Sequence, residues 1–316
     1  MANDTKPIFL LSTPRAGSTL LQRILASHSK ISTTPEPYLL LPLVYSLKNN
    51  GIVAHYHQPY VAKGISDFCE SLPQTIQTYH AHIREFVLSL YSQAACGAPF
   101  FLDKTPSYDL ISNDILDLFP DAKVIVLWRN PLAAIASAVE LWGGGQKWQL
   151  FLVSETMTQG LVNLVDSTLK YSSRICMLQF ESLISNPESE IKRITDYLGL
   201  NYEPNMIASF TKINLEGKMG DPIGTKKYNT ISREPMEKWK KTMAGPLRKA
   251  WARRYLKWLG RKRIEQMGYD IETLLCDLDA IPTKYTNLSG DCYEMLRDTL
   301  KIKAKQVFLN RINRWL

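Results

Sequence analysis

Residues 7–28, PIFLLSTPRAGSTLLQRILASH, place an apolar strand-like run, a loop of small residues and a helix start in immediate succession. Gly17 permits close backbone approach, and Ser18 and Thr19 supply hydroxyl and N–H groups at the predicted helix start. Unpaired N–H groups and the positive end of a helix dipole attract anions to such a junction. Arg15 adds a forked, permanently charged donor that suits phosphate or sulfonate oxygens. The junction predicts an anion site at the end of a buried strand, although some strand–turn–helix units bind nothing.

Short apolar runs rich in β-forming residues alternate with amphipathic stretches, which is typical of an α/β fold with a central parallel sheet flanked by helices. A long insertion, residues 31–98, is predicted to be helical and to line an acceptor pocket, and the three glycines at 143–145 predict a flexible joint. The predicted strands are Ile8–Ser12, Pro99–Asp103, Lys123–Trp128 and Ile175–Phe180. The predicted helices are Ser18–Ser27, Tyr108–Leu118, Pro131–Leu141, Leu150–Tyr171 and Pro187–Leu198.

The bulk composition restricts the class of protein. Of 316 residues, 45% are hydrophobic and 22% are charged, which is ordinary for a globular chain. No run approaches the roughly 18 apolar residues that a membrane span needs. The N-terminal segment MANDTKPIFLL lacks the features of a signal peptide, which predicts a cytoplasmic protein. The five cysteines are an odd number without CxxC spacing, so reduced thiols are expected and a zinc site is not.

The net charge of +8 is unevenly distributed along the chain. Residues 1–211 hold 15 basic residues against 18 acidic ones, and residues 212–316 hold 23 against 12. Eleven basic residues and no acidic residue lie between Lys238 and Arg263. This basic segment predicts either a solvated helix face or the attraction of an anionic substrate, a nucleic acid or a membrane surface.

The chain is predicted to contain one domain over residues 1–270 and a helical extension over residues 271–316. Within the domain, residues 212–236 are rich in Gly, Lys, Asn and Pro, and they predict a long loop that covers a ligand. The extension is a candidate contact surface for a homodimer.

The loop at residues 12–19 differs from a Walker A loop, because Gly17 and not lysine precedes the first hydroxyl residue. Its form, STPRAGSTLL, resembles the 5′-phosphosulfate loop of sulfotransferases that use 3′-phosphoadenosine-5′-phosphosulfate (PAPS). The likeness is greatest to bacterial enzymes that sulfate small molecules, and the loop is also similar to the RSGTT loop of tyrosylprotein sulfotransferases. A second match is VIVLWRNPLAAIASAV, where Arg129 follows an apolar strand and Ser137 lies about two helical turns further on. The chain thus resembles the PAPS-dependent sulfotransferase family, with its P-loop-like architecture, over roughly residues 7–265.

This resemblance implies a donor site for PAPS, with the bisphosphate PAP as product and no metal requirement, since arginine and lysine supply the positive charge. The implied donor-binding residues are Arg15, Ala16, Gly17, Ser18, Thr19, Arg129, Ser137, Lys226, Lys227 and Tyr228. The last three belong to the predicted covering loop. The glycine-rich motif of the cytosolic steroid and phenol enzymes is absent there.

The resemblance also implies three catalytic residues. Lys104 ends a predicted strand in FFLDKTPSY, which looks like the Asp-Lys-Thr-Pro segment of related enzymes in which the lysine faces the sulfate. Lys104 and Arg15 would stabilise the negative charge that develops during sulfuryl transfer. Glu36, in ISTTPEPYLL, stands where related enzymes carry a glutamate base, which an alcohol requires because an unionised hydroxyl is a poor nucleophile. The Lys-Thr-His motif that supplies a histidine base in cytosolic enzymes is replaced by Lys-Thr-Pro.

The acceptor is expected to contact aromatic and histidine side chains. The candidates are Tyr38, His55, His57, Trp142 and Trp148, with Tyr56 and Tyr60 beside them. The predicted reaction is in-line transfer to a hydroxyl, or a nitrogen, of a small molecule such as an alkaloid toxin of bacterial specialised metabolism. No nucleic-acid partner is expected. The alternatives are a P-loop-type kinase or NTPase, and a non-catalytic protein that binds anions or nucleic acid.

Overall fold

Five parallel strands form the centre of the protein in a computed structural model that describes residues 5–215 and 230–314. The strand order is β2–β3–β1–β4–β5, and each neighbouring pair is parallel. The predicted α/β class with a central parallel sheet flanked by helices is confirmed. The strands are β1 (Lys6–Leu11), β2 (Ile31–Thr33), β3 (Phe100–Asp103), β4 (Lys123–Trp128) and β5 (Ile175–Gln179).

Strand β2 is the strand that sequence reasoning missed. The other four strands agree with the predicted ones to within two residues at each end. The expectation that residues 31–98 are helical throughout is wrong at its start, because β2 pairs with β3 at the edge of the sheet. Three residues are too few to show an alternating pattern of apolar and polar side chains.

Helices cover both faces of the sheet and form the C-terminal part of the described chain. None of the helices within residues 5–215 and 230–314 has the length and apolarity to cross a membrane. They are α1 (Ser18–Ala26), α2 (Leu40–Tyr45), α3 (Gln58–Glu70), α4 (Ile76–Ala95), α5 (Ser112–Leu118), α6 (Pro131–Gly143), α7 (Leu161–Lys170), α8 (Phe180–Ser185), α9 (Pro187–Leu198), α10 (Asn205–Ser209), α11 (Glu234–Thr242), α12 (Pro246–Leu259), α13 (Arg261–Gln266), α14 (Ile271–Ala280) and α15 (Leu288–Arg314).

Two of the predicted helices are interrupted. The first begins as a 3₁₀ turn at Tyr108–Ile111 before α5. The second, predicted over Leu150–Tyr171, contains a 3₁₀ turn at Phe151–Val153 and a π turn at Thr156–Gly160 before α7 begins. The carboxylate of Asp298, which is distant in sequence, accepts hydrogen bonds from the N–H groups of Leu150 and Phe151 at the start of the 3₁₀ turn, at 2.7 and 3.1 Å. A local helix pattern cannot reveal such a long-range contact.

The three glycines at 143–145 form the end of α6 and the turn that follows it, and the flexible joint expected there stays a prediction. Gly143 is the last residue of α6, and Gly144 ends the helix with a φ of 60°. Buried Arg248 donates hydrogen bonds to the carbonyl oxygens of Gly145 (3.4 Å) and Gln146 (2.7 Å). The side chain of Arg248, on α12, therefore holds this turn.

Both faces of the sheet are buried, since successive side chains of a strand point to opposite faces. In β1, Phe9 and Leu11 pack in one apolar cluster, and Ile8 and Leu10 pack in a second cluster on the other face. All four are at most 1% exposed. Since β1 pairs in parallel with both β3 and β4, the carboxyl ends of these three strands meet at one edge.

The basic segment makes ion pairs with the C-terminal extension. Arg248 of α12 forms two hydrogen bonds of 2.8 Å with Asp291 of α15, and both side chains are buried. On the surface, Arg253 of the same helix binds Asp279 of α14 at 2.5 Å. These contacts dock the extension on the domain. They favour a structural use of the positive charge over recruitment of a nucleic acid.

The homodimer stays a prediction. Along α15, Leu296 is 62% and Leu300 is 67% exposed, so an apolar strip of the extension remains uncovered within the chain.

Candidate active site

A cavity of about 390 Å³ lies at the carboxyl edge of the sheet. Ligands of open parallel sheets bind at this edge, and small-molecule sites commonly measure about 300–1,000 Å³. The predicted site residues that line it are Arg15, Gly17, Ser18, Thr19, Glu36, Tyr38, Lys104, Arg129, Ser137 and Trp142.

The loop between β1 and α1 lines the cavity and has the geometry of a candidate anion site. Gly17 has a φ of 96°, and a Cβ atom there would lie 2.5 Å from the ring of Phe180. Glycine is required at this position for both its backbone angle and its packing. Helix α1 begins at Ser18 without a side-chain cap and without an acidic residue in its first turn. The first N–H groups of a helix lack intrahelical acceptors, so they attract an anion together with the helix dipole.

Arg15, Arg129 and Ser137 come from separate strand–helix junctions, and the fold brings them into contact. The Nε of Arg15 donates to the Oγ of Ser137 at 3.3 Å, and the Nη1 of Arg129 donates to the backbone oxygen of Arg15 at 2.8 Å. The guanidinium of Arg129 also lies 4.7 Å from the ring centroid of Phe180, which is the ring that packs on Gly17. The two junctions therefore share one aromatic platform and concentrate positive charge on one side of the cavity.

Glu36 and Lys104 form an ion pair in the same cavity. The Nζ of Lys104 donates to the Oε1 of Glu36 at 2.6 Å, and the side chains are 4% and 8% exposed, respectively. Lys104 follows β3 directly, and Glu36 lies in the loop after β2, so pairing of the two strands brings them together. A carboxylate that can accept a proton thus lies beside an ammonium group that can stabilise a developing oxyanion.

Tyr38 and Trp142 line the other side of the cavity with Leu141 and Leu152. Burial, followed by the negative charges of Glu36 and Asp109, raises the pKa of Tyr38 to about 12. The phenol is therefore neutral at physiological pH. This wall offers aromatic and apolar surface to a second ligand.

Trp148 was predicted to bind the acceptor, but it does not line the cavity. It is 1% exposed and packs edge-on against Trp251 in the core, with 5.0 Å between ring centroids. Its large apolar surface is buried between helices, as is usual for indole rings. Closeness in sequence to Trp142 was a poor guide, because the turn after α6 separates the two rings.

The segment that contains His55 and His57 also lies away from the cavity. His55, Tyr56 and Tyr60 are exposed on the approach to α3 and in its first turn. His57 borders a separate cavity of about 230 Å³. The helical insertion therefore carries both histidines away from the larger cavity, and their contact with the acceptor stays a prediction.

Of the other residues predicted to bind PAPS, the structure describes Ala16 and leaves three undescribed. The side chain of Ala16 is fully buried beneath the loop, and its N–H donates to the carbonyl oxygen of Thr13 at 3.3 Å. Lys226, Lys227 and Tyr228 lie outside the described residues.

Six polar residues line the cavity without having been singled out from the sequence as site residues: Ser12, Thr13, Ser107, Thr156, Thr230 and Ser232. Ser107 follows the Asp-Lys-Thr-Pro segment directly, and Ser232 lies within the predicted covering loop, so each had a local signal. Thr156 lies in the π turn and had no such signal, because the sequence pattern there predicted a regular helix.

Comparison with known proteins agrees with this geometry. The chain matches the profile of a family described as "Sulfotransferase family" over residues 7–204. It is 30% identical over 235 residues to nodulation protein NoeE of Sinorhizobium fredii (strain NBRC 101917 / NGR234), which covers 65% of this chain and 53% of that protein. Protein-tyrosine sulfotransferase A of Caenorhabditis elegans is 21% identical over 210 residues, with the same two coverages of 65% and 53%. The chain thus spans about half the length of these two curated relatives.

The fold is shared with a solved structure, the sulfotransferase domain from the Synechococcus PCC 7002 olefin synthase. The TM-score is 0.51 at 24% identity, over 75% of this chain and 88% of that one. The family match covers more than half of the chain and includes both strand–helix junctions and the Glu36–Lys104 pair. This protein is therefore a member of the sulfotransferase family.

Proposed function

We propose that the protein transfers a sulfuryl group from PAPS to a small acceptor molecule. The observation that carries this proposal is the convergence of Arg15, Arg129 and Ser137 beside the uncapped start of α1. The same cavity contains the ion pair of Glu36 and Lys104. Donors for an anionic ligand and a base for a hydroxyl therefore lie in one enclosed space.

The charge of the cavity suits a polyanionic donor. Among the lining residues that the structure describes, Arg15, Lys104 and Arg129 are cationic, and Glu36 is the one anionic side chain. Guanidinium groups bind phosphate and sulfate oxygens with two parallel hydrogen bonds. The residues present therefore fit PAPS.

Each charged group of PAPS has candidate partners. The N–H and hydroxyl groups of Ser18 and Thr19 would hold the 5′-phosphosulfate at the start of α1, and Arg129 and Ser137 would hold the 3′-phosphate. When bound, PAPS supplies an activated sulfuryl group and a leaving group that gains negative charge. Further contacts to the donor are proposed for Lys226, Lys227 and Tyr228.

Glu36 is proposed to remove the proton of the acceptor. A carboxylate has about four acceptor positions, so Glu36 can keep its hydrogen bond to Lys104 and receive a second donor. Once Glu36 is protonated, its attraction for the ammonium group falls. The N–H groups of Lys104 then serve the negative charge that develops on the leaving oxygen, with Arg15 beside them.

The proposed acceptor is a small molecule that presents a hydroxyl group or a nitrogen. The aromatic and apolar wall of Tyr38, Leu141, Trp142 and Leu152 supports a compact, partly apolar acceptor. An alkaloid toxin stays within this class. The positive group of such an acceptor would meet the faces of the two aromatic rings, since Lys104 already neutralises Glu36.

Donor binding is tested by calorimetry with PAP, which requires no acceptor. The wild type should bind PAP in the presence of EDTA. Ser137→Ala should weaken binding about tenfold, because a hydrogen bond to a charged group contributes about 1.5–3 kcal/mol. Arg253→Ala removes an exposed arginine of α12 and is the matched control that should bind normally. Absence of PAP binding by the wild type would contradict the proposal.

Transfer is tested by PAP release from PAPS, with EDTA present, across a panel of acceptors that includes p-nitrophenol, aliphatic alcohols and guanidinium alkaloids. Glu36→Gln should lower kcat at least 100-fold, since a general base contributes about 10²–10⁴-fold. Glu85→Gln changes an exposed glutamate of α4 and should keep full activity. Turnover of ATP with magnesium, without PAP release from PAPS, would instead support a kinase or NTPase.

A further inference from the structure

Asp103, the last residue of β3, accepts hydrogen bonds from three hydroxyl groups. The hydroxyls of Tyr91, Thr105 and Tyr108 lie 2.5, 2.7 and 3.2 Å from its carboxylate oxygens. Asp103 is 0% exposed and does not line the cavity. A carboxylate buried with three donors is costly to place in a core, so its neighbours must show what it does.

Two of the three hydroxyls also bind the chain segment that follows Glu36. The N–H of Tyr38 donates to the Oγ1 of Thr105 at 3.3 Å, and the N–H of Leu40 donates to the hydroxyl oxygen of Tyr108 at 3.0 Å. Each of these two hydroxyls accepts the N–H with a lone pair and so keeps its own proton available for Asp103. The carboxylate of Asp103 is the common acceptor of the three hydroxyls.

The ionised form of Asp103 is the form that this network requires. A protonated carboxyl would carry a donor hydrogen into a group of three donors. Burial raises the pKa of Asp103, and the three hydroxyl hydrogen bonds and the charge of Lys104 oppose that effect. Burial is the largest of these effects and leaves the pKa of Asp103 raised, so the assignment of a carboxylate rests on the three hydroxyl donors that surround it.

The network joins the two chain segments that carry the ion pair. Lys104 follows Asp103 directly, and Tyr38 and Leu40 come two and four residues after Glu36. Tyr38 has a φ of 56°, a left-handed conformation that is strained for a non-glycine residue and persists only where the surroundings hold it. Its hydrogen bond to Thr105 is such a restraint.

We propose that Asp103, acting through Thr105 and Tyr108, is a positioning residue that holds Glu36 opposite Lys104. The expected effect of this network on kcat rests on the proposed function. The expected effect on the position of Glu36 rests on the hydrogen bonds alone. Asp103 touches neither ligand site. Its effect is on the orientation of the base in the substrate complex and not on the affinity for the donor.

The structural test is amide hydrogen exchange of the full-length chain, read at Tyr38 and Leu40. Thr105→Val should speed exchange of the Tyr38 amide at least fivefold, and Thr105→Ser, which restores the hydroxyl, should return it to the wild-type rate. Tyr108→Phe should speed exchange at Leu40 in the same way. Tyr91→Phe is the matched control, because Tyr91 donates to Asp103 and no side-chain hydrogen bond within the described part of the chain joins it to residues 36–40. It should change neither amide. The proposal would be overturned if exchange were unchanged at Tyr38 in Thr105→Val and at Leu40 in Tyr108→Phe.

The kinetic test uses PAPS with p-nitrophenol, or with the panel member that gives PAP release. Thr105→Val and Tyr108→Phe should lower kcat at least fivefold and leave PAP affinity within twofold, whereas Thr105→Ser and Tyr91→Phe should keep kcat within twofold. A general structural role would lower thermal stability in all these variants without this separation. A kcat equal to that of the wild type in both Thr105→Val and Tyr108→Phe contradicts the positioning role. Failure of the wild type to bind PAP contradicts the proposed function instead.

Discussion

Gly17 and Phe180 set the shape of the anion loop. The left-handed backbone of Gly17 turns the chain from β1 into α1, and its lack of a side chain lets the loop touch the ring on which Arg129 also lies. A single methyl group at this point is expected to separate the two junctions.

Gly17→Ala is therefore expected to weaken PAP binding at least tenfold, because the new Cβ would lie 2.5 Å from Phe180. Gly97→Ala is a matched control, since Gly97 has a similar φ of 92° but no atom within 4 Å of the position of its Cβ. The control should lose about 1–2 kcal/mol of stability from backbone strain and keep its PAP affinity. Calorimetry and urea unfolding of both variants check this. Equal PAP affinity in the two variants would show that contact with Phe180 is unimportant.

Asp109 is a second buried carboxyl, and its environment differs from that of Asp103. It is 0% exposed, and a Cβ at Gly160 would lie 2.5 Å from its Oδ2. Burial raises the pKa of Asp109 well above its ordinary value of 3.8, and the backbone N–H of Leu110 opposes the shift. In the folded protein this side chain is protonated at pH values at which the unfolded chain is already ionised.

The pH dependence of stability follows from this difference. Below about pH 4, Asp109 is protonated in both the folded and the unfolded state, so its ionisation does not change the free energy of unfolding. As the pH rises, the unfolded state releases a proton that the folded state retains, so the free energy of unfolding falls. The wild type should lose up to about 1.4 kcal/mol per pH unit relative to Asp109→Asn between pH 5 and 7. Urea unfolding of both proteins at several pH values measures the difference. A difference that does not change with pH would show that Asp109 is ionised in the folded protein.

The two strand–helix junctions were accessible from the sequence because each is encoded locally. An apolar run, a turn of small or capping residues and a helix start stand together in both, and β4 agrees with its prediction at both ends. The pairing of Glu36 with Lys104 was not accessible, because it depends on β2, whose three residues carry no pattern. The 3₁₀ turn and the π turn within residues 151–160 were missed for a related reason. They contact Asp298 and Asp109, which are distant in sequence.

Helix α6 begins directly after Arg129 and carries Ser137, and both residues are proposed to bind the donor. The Oδ1 of Asn130 accepts from the N–H groups of Leu132 and Ala133 at 2.9 and 3.3 Å and so caps the helix, which carries Ser137 on its second turn. Arg129 immediately precedes the cap. A loosened first turn would move both donor-binding side chains.

Asn130→Ala is expected to cost about 0.5–2 kcal/mol of stability, the usual effect of losing a cap, and to weaken PAP binding several-fold. Asp270→Ala removes a comparable cap, from α14, where Asp270 accepts from the N–H of Thr273 at 2.8 Å. This control should lose similar stability and bind PAP normally. Thermal unfolding and calorimetry on the two variants separate the effects. Normal PAP binding by Asn130→Ala would mean that the second turn of α6 keeps its position without the cap.

Ion pairs join the basic C-terminal region to the extension, which composition alone could not show. Two interpretations of the segment from Lys238 to Arg263 were open from the sequence, because the acidic partners lie outside it and become neighbours only when α14 and α15 fold back. Attachment of the extension also supports the cavity, since Asp298 of α15 fixes the turn that carries Leu152. A change in the extension should therefore affect the stability of the domain.

The buried pair of Arg248 and Asp291 is the contact that tests this attachment. Asp291→Asn leaves the guanidinium in the core without its counter-charge, and loss of one partner of a buried ion pair costs about 3–5 kcal/mol. Asp279→Asn breaks the exposed pair with Arg253 and should cost less than about 1 kcal/mol. Urea unfolding at low salt and at 1 M NaCl distinguishes the two, since salt screens the exposed pair and leaves the buried one almost unaffected. If both variants lost equally little stability, the buried ion pair would have no role in docking the extension.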